Sequence, residues 1–361
     1  MTSTPRPLRV ALLSDGIPGH FRQSEGVVAA LARRHAIDLL RIALPAHNTP
    51  LLRLMAFVTR RAPGRLPLRL HLGIDDPGPL DVIVSAGGRT LAANVELAQR
   101  HPEAFTIFSG SPRAFGAAAF DRVLLSYPAP PENGLYVLKP TALDPDTLSP
   151  PRRAGTEEAP LRIGVLIGGS TAVCRFEDAE WDRLLSLVAT LSETPGVSLL
   201  LVTSRRTPED WNEDVLAMAR GRPGIERVID YRTAGTGSIA DAFGTDALLV
   251  TADSMSMVTE GVAARRPVIM LQPAKVKPSR DTATMDDLEA QGRIARVSLT
   301  EEPKVDAVLA AFAARRPITE NHLDRLADLL EPVSPRRAPA AAPPLWPAGH
   351  LPHKGGDRKD S

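Results

Sequence analysis

The stretch Leu248–Leu271, LLVTADSMSMVTEGVAARRPVIML, decides the fold. An apolar run opens it, small polar residues from Thr251 to Ser256 follow, a helix-like segment comes next, and Pro267 leads into a second apolar run. A strand that hands over to a helix and then to another strand is a parallel βαβ unit. The polar group at the handover has two readings. Asp253 or Ser254 can cap the helix by accepting its unpaired N–H groups, or those N–H groups, with the helix dipole behind them, can hold an anion such as a diphosphate. If the helix opens near Ser254, Glu260 lies about two turns in. There it is either placed to accept both hydroxyls of a ribose or is simply a solvated helix carboxylate.

The same alternation extends in both directions. In the first half the runs LRVALLSDG, IDLLRIAL, DVIVSAGG, TIFSG, RVLLS and LYVLKP are separated by helix-like segments such as Ser24–Arg34 and Thr90–Arg100. From Asp144 to Pro160 the chain is Pro-rich, charged and aperiodic, as a linker would be. The pattern then restarts with LRIGVLIGGS, VSLLLVTS, ERVIDY, DALLVT, PVIML and RIARVSL, with helix-like Asp178–Ser192 and Asp210–Arg220 between them. The expectation is an α/β protein of two tandem doubly wound Rossmann-like domains, 1–143 and 161–333, facing one cleft. A tail from 334 to 361, dominated by Pro, Ala and charge, is expected to be disordered.

Bulk properties narrow the functions. A chain of 361 residues suits two domains better than one. Its formal net charge of +1 predicts no nucleic-acid partner. A single cysteine, Cys174, excludes an internal disulfide framework and a cysteine zinc cluster. The lead MTSTPRP runs straight into a short strand without the apolar core of a signal peptide, and no segment approaches the roughly 18 apolar residues of a spanning helix. A cytoplasmic protein, peripheral at most on the inner face of a membrane, is expected.

Four strand ends carry the candidate chemistry. In SDGIPGH, Ser14, Asp15, Gly16 and Gly19 make a turn that delivers His20, a candidate general base, near the start of a helix. In SAGGRT, Gly87 and Gly88 either allow a close backbone approach or satisfy a left-handed turn, with Arg89 beside them. In IGGS, Gly168 and Gly169 remove side chains where a phosphate would meet backbone N–H groups. In VTSRRTP, Ser204 and Arg205 end a strand, and Arg205 is the preferred phosphate clamp over Arg206. Neither IGGS nor GTGSIAD, which reads as a loop opening a helix, has the spacing of a dinucleotide fingerprint. No cofactor is called for, and no aspartate-rich motif argues for a metal.

SDGIPGHFRQSEG, GVLIGGS, TSRRTP and above all VTADSMSMVTEGVAARRPV resemble the mitochondrial-fission Elm family, whose bacterial members often carry the label predicted nucleoside-diphosphate-sugar epimerase. The resemblance runs from about Leu8 to Ser298. That family is similar to GT-B glycosyltransferases of the MurG type, whose second domain holds a nucleotide sugar and whose ribose-binding Glu stands seven residues before a Pro, as Glu260 does before Pro267. By this resemblance Gly168, Gly169, Ser254, Ser256 and Met257 surround the diphosphate, while Gly16, Gly19 and His20 face the acceptor. Two places depart from the pattern: an HD pair expected late in the first domain is replaced by LLSYPAPPEN, and the lysine-containing segment after IGG reads STAVCRF.

Between Leu39 and Ile74 there is no Asp or Glu, and Arg41, Arg53, Arg60, Arg61, Arg65 and Arg69 alternate with Leu, Met and Phe. Such a segment either lies on an anionic membrane surface, as a lipid-linked acceptor would require, or is a solvated basic face. Three functions follow: a sugar transferase, a non-catalytic nucleotide-binding adaptor at a membrane or morphogenetic complex, and a nucleotide-sugar epimerase. No residue pattern selects the base, the sugar, the acceptor or an oligomeric state.

Overall fold

The computed structural model describes residues 6–128, 130–152, 159–234 and 238–331. The tail from 334, expected to be disordered, lies outside them, as do 153–158 of the linker and 235–237 of the GTGSIAD segment.

The first sheet contains β1 (Leu8–Ser14), β2 (Ile37–Ala43), β3 (Val82–Ala86), β4 (Phe105–Ser109), β5 (Arg122–Leu125) and β6 (Gly134–Tyr136). All are parallel, in the order β2-β1-β3-β4-β5-β6. Around it lie α1 (Pro18–Leu31), α2 (Thr49–Arg61), α3 (Leu68–Leu72) and α4 (Leu91–Arg100). Helix α1 opens six residues before the expected Ser24, because Pro18, with its φ already fixed, suits a first helical turn that needs no N–H donor there.

The second sheet contains β7 (Leu161–Ile167), β9 (Val197–Thr203), β10 (Ile225–Ile229), β11 (Ala247–Thr251), β12 (Val268–Gln272) and β14 (Ile294–Ser298), while β8 (Cys174–Arg175) and β13 (Lys275–Val276) form a small antiparallel ribbon beside it. The order β10-β9-β7-β11-β12-β14 is parallel throughout. Its helices are α5 (Asp178–Glu193), α6 (Glu209–Ala219), α7 (Tyr231–Ala234), α8 (Met255–Ala263), α9 (Arg280–Ala290) and α10 (Val305–Ala314). Both sheets are thus wound in two directions from their first strand. The strand order reverses between β1 and β3 in one and between β7 and β11 in the other, and such switch points open crevices beyond the strand ends.

The last helix, α11 (His322–Leu330), does not stay with the second sheet. Leu323, Leu326 and Leu330 enter the core formed by Val10, Leu12, Val27 and Leu31 of the first sheet and α1. Arg33 then fixes it through Asp324 at 2.7 Å and reaches Asp144 at 2.9 Å. The described part of the linker is also fastened: Arg152 pairs with Asp246 at 3.0 Å, and the buried Arg266 donates to the Ser149 carbonyl at 2.7 Å. The described residues of this linker are thus anchored at defined points. Among the described residues no helix is long and apolar enough to cross a membrane.

Candidate functional site

At the first switch point, β1 ends in Ser14, whose hydroxyl accepts from the Gly16 N–H, and Asp15, whose carboxylate accepts from the Ile17 N–H. The turn returns the chain into α1, so His20 lies one helical turn on. Its Nδ1 is 2.9 Å from Asp15 Oδ2, and the Asp15 side chain is only 1% exposed. A buried carboxylate accepting from Nδ1–H leaves Nε2 as the imidazole's basic atom. Gly87 makes this arrangement possible. It follows β3 with φ +86°, and a Cβ there would come within 2.1 Å of the His20 ring. Gly88 does the same for Arg113, whose guanidinium carbon would meet a Cβ at 2.5 Å. Of the two readings of this Gly-Gly pair, Gly87 shows the left-handed turn, and both glycines also seat side chains of the protein, of which Arg113 is one the sequence did not single out.

Beside this turn lies a cavity of about 510 Å³. Asp15, His20 and Arg89 line it together with Arg53 of α2, Arg113, and His71 of α3 on its buried side. Burial and the neighbouring His47 push His71 down to about 4. The folded protein keeps it neutral while the unfolded chain takes up a proton near 6.5, so its contribution is intact above 6.5 and is lost as pH falls toward 4. A shift of that size corresponds to about 3 kcal/mol. Urea midpoints measured from pH 7 to pH 4 should fall less steeply in His71→Gln than in the unaltered protein; parallel curves would remove His71 from the acid response.

At the second switch point Ser254 caps α8 through the Met257 N–H, as the simpler reading required. The Asp253 side chain, beside it, is fully buried and pairs with Arg206 at 2.8 Å while accepting from Thr251 at 2.7 Å. Burial raises its pKa, against the pull of Arg206. Asp253 therefore ties three strand ends together. The Gly168 N–H already donates to Thr251 at 2.7 Å, and the Gly169 N–H to Asp253. These glycines make room rather than present open donors: a Cβ on Gly168 would strike Asp253 at 2.1 Å, and one on Gly169 would lie 1.9 Å from the Arg206 carbonyl. Ser204 is consumed in its own turn, accepting from Arg206 N–H at 3.1 Å. Arg205 stands exposed at the tip, and Arg206, the arginine ranked second on sequence grounds, carries the ion pair.

The two switch points meet. Glu260 of α8 lies 3.7 Å from Arg22 of α1, two residues past His20. Lys139, in the segment leaving β6, donates to Ser256 in the first turn of α8 at 2.7 Å. Burial lowers the Lys139 pKa and raises that of Glu260. Tyr136 bonds to Asp287, Thr284 bonds to the Ser126 carbonyl, and Arg280 stacks over Tyr127 at 5.0 Å, all across the same junction. Arg22 and Lys139 escaped the sequence reading because nothing local marks them; only the joining of two sheets brings them to Glu260. Met257 is buried behind the cap. Among the described residues no cluster of three His, Cys, Asp or Glu side chains is placed to hold a metal.

The sequence profile described as Mitochondrial fission ELM1 matches residues 18–320. The chain belongs to the mitochondrial fission ELM1 family. No curated protein matches this ELM1-family chain. Among solved structures it is similar to the UDP-GlcNAc 2-epimerase of Methanocaldococcus jannaschii, at 11% identity and TM-score 0.54 over 90% of this chain and 99% of that one. It is also similar to S. aureus MnaA in complex with UDP, at 9% identity and TM-score 0.53 over 88% and 94% of the two chains. MurG of Acinetobacter baumannii aligns at 15% identity and TM-score 0.49 over 90% and 99%. At such identities the likeness is one of fold: two Rossmann-like domains in the GT-B arrangement, as the ELM1-family sequence led one to expect.

Proposed function

We propose that this chain binds a nucleoside-diphosphate sugar against α8 and transfers the sugar to an acceptor held by the first domain. The carrying observation is the meeting of the two switch points: the Asp15–His20 pair opens α1, and Arg22 of the same helix lies 3.7 Å from Glu260 of α8. Glu260 accepts the ribose hydroxyls. The diphosphate lies at the opening of α8 beside Ser254, Ser256 and Lys139, and the exposed Arg205 is the arginine left to clamp it. His20 Nε2 takes the proton of an acceptor hydroxyl, whose oxygen attacks the anomeric carbon. The bond from that carbon to the diphosphate breaks, and the nucleoside diphosphate leaves with the electron pair. Its charge is met by the helix N-terminus, Lys139 and Arg205. The fold relatives named for UDP and UDP-GlcNAc support the ligand class by analogy only.

The acceptor side borders α2, which leaves Leu54 and Phe57 58% and 47% exposed and sets Arg61 4.2 Å over the Phe57 ring. That face supports contact with an anionic membrane surface and hence a lipid-linked acceptor.

Calorimetry and thermal shift with UDP-, dTDP-, GDP- and ADP-sugars test the reading. Selective stabilisation by one nucleotide, with sugar transfer to an added acceptor, supports a transferase. Binding without any turnover favours the adaptor, a reading also consistent with the engaged N–H groups of Gly168 and Gly169. Conversion of the free nucleotide sugar without acceptor would make it an epimerase. Binding of none of the four would end all three.

A further inference from the structure

The 510 Å³ cavity of the first domain is cationic without compensation. Arg53, Arg89 and Arg113 all line it, and among the described residues none of them forms an ion pair. The one carboxylate in the lining, Asp15, is already committed to His20. No other carboxylate in the wall balances these charges. Arg113 is moreover held at φ 52°, a left-handed backbone that a residue with a Cβ adopts only at a cost. Gly88 gives up its side chain so that the guanidinium can lie there. A strained backbone, a glycine seat and unpaired guanidinium groups converge on an empty volume, not on a protein partner.

We infer that this cavity is an oxyanion subsite that holds the phosphate-bearing end of the molecule the first domain recognises. In calling that molecule the acceptor, the inference rests on the transferase reading; the site itself does not. Guanidinium groups match phosphate oxygens in bidentate geometry, and several around one volume make a site for a diphosphate. Part of the remaining wall is apolar, from Leu52, Met55 and Ala56 of α2 and from Ile17, with His47, Thr49 and His71 also lining it, so a hydrocarbon attached to the phosphate has a surface to follow. The phosphate can belong to a water-soluble compound or to a lipid; the anion chemistry is the same.

The test is a titration of full-length protein with inorganic diphosphate, followed by backbone amide shifts of Gly87–Thr90 and, separately, of Ser254–Met257. Saturable shifts at Gly87–Thr90 are expected, weakened about tenfold in Arg113→Gln and in Arg89→Gln, as for loss of one charge-assisted contact. Both arginines are exposed, so the folds should survive. Glu260→Ala should leave this response unchanged, so failure of the nucleotide site cannot be confused with failure of this one. Farnesyl diphosphate binding tighter than inorganic diphosphate would point to a lipid source, and equal affinities to a water-soluble one. No shift at Gly87–Thr90, undiminished binding in both arginine variants, or equal binding of uncharged farnesol would overturn the inference.

Discussion

Replacing His20 with alanine should lower sugar transfer by about 10²–10⁴-fold, the usual worth of a positioned general base, and leave nucleotide-sugar binding as it was. The argument rests on how much of the surroundings is spent on one imidazole. Asp15 is buried to hold Nδ1, Gly87 is bare to admit the ring, and the ring remains 32% exposed toward the cavity. Asp15→Asn should show a large part of the same loss, because an amide no longer selects the tautomer whose Nε2 is free. Its signature would be a fall in kcat with little change in the KM for the nucleotide sugar. A kcat unaltered in both variants would remove His20 from the chemistry and leave the adaptor as the better reading.

Replacing Glu260 with alanine should weaken nucleotide-sugar binding by about 1.5–3 kcal/mol, the worth of hydrogen bonds to a charged group, which is roughly a ten- to 150-fold rise in Kd. Calorimetry reads it directly. A nucleotide lacking both ribose hydroxyls should bind the unaltered protein and the variant alike; if the variant loses equally for both ligands, Glu260 does not read the ribose. The pH dependence has a definite sign. Burial lifts the Glu260 pKa above its ordinary 4.5, so the fold holds this proton more tightly than the unfolded chain does. Its contribution to stability is therefore complete below 4.5 and lost as pH rises through the folded value. Binding runs the other way, strengthening as the carboxylate ionises. Its acid limb should thus stand higher than an exposed glutamate would give, and should vanish in Glu260→Gln.

The strands were legible because each is a local event: an apolar run closed by Gly, Ser or Thr, with little else it can become. The cap of α8 was legible for the same reason, since Ser254 acts on a donor three residues away. Glycines were harder. A Gly-Gly after a strand signals that a Cβ is unwelcome, but not whether the intruder is a ligand or the protein itself; here the neighbours were His20, Arg113, Asp253 and the Arg206 carbonyl. Choosing between Arg205 and Arg206 required the direction each leaves the turn, which Asp253 sets from another strand. Arg22 and Lys139 could not be found at all from local pattern, being ordinary charges until the sheets meet. Helix α11 is a short amphipathic helix, and nothing in its own residues names the sheet it joins.

That helix has a consequence for how the molecule comes into being. Arg33 and Asp324 are 291 positions apart, yet they lie in one packed layer beside β1. As the chain emerges from the ribosome, the second sheet has all its strands and helices before the first has its last one. The amino-terminal half must wait with Val10, Leu12 and Leu31 uncovered until Leu330 arrives. The half that begins the protein is the half that finishes last, and a chain stopped before residue 322 would release it with an open seam.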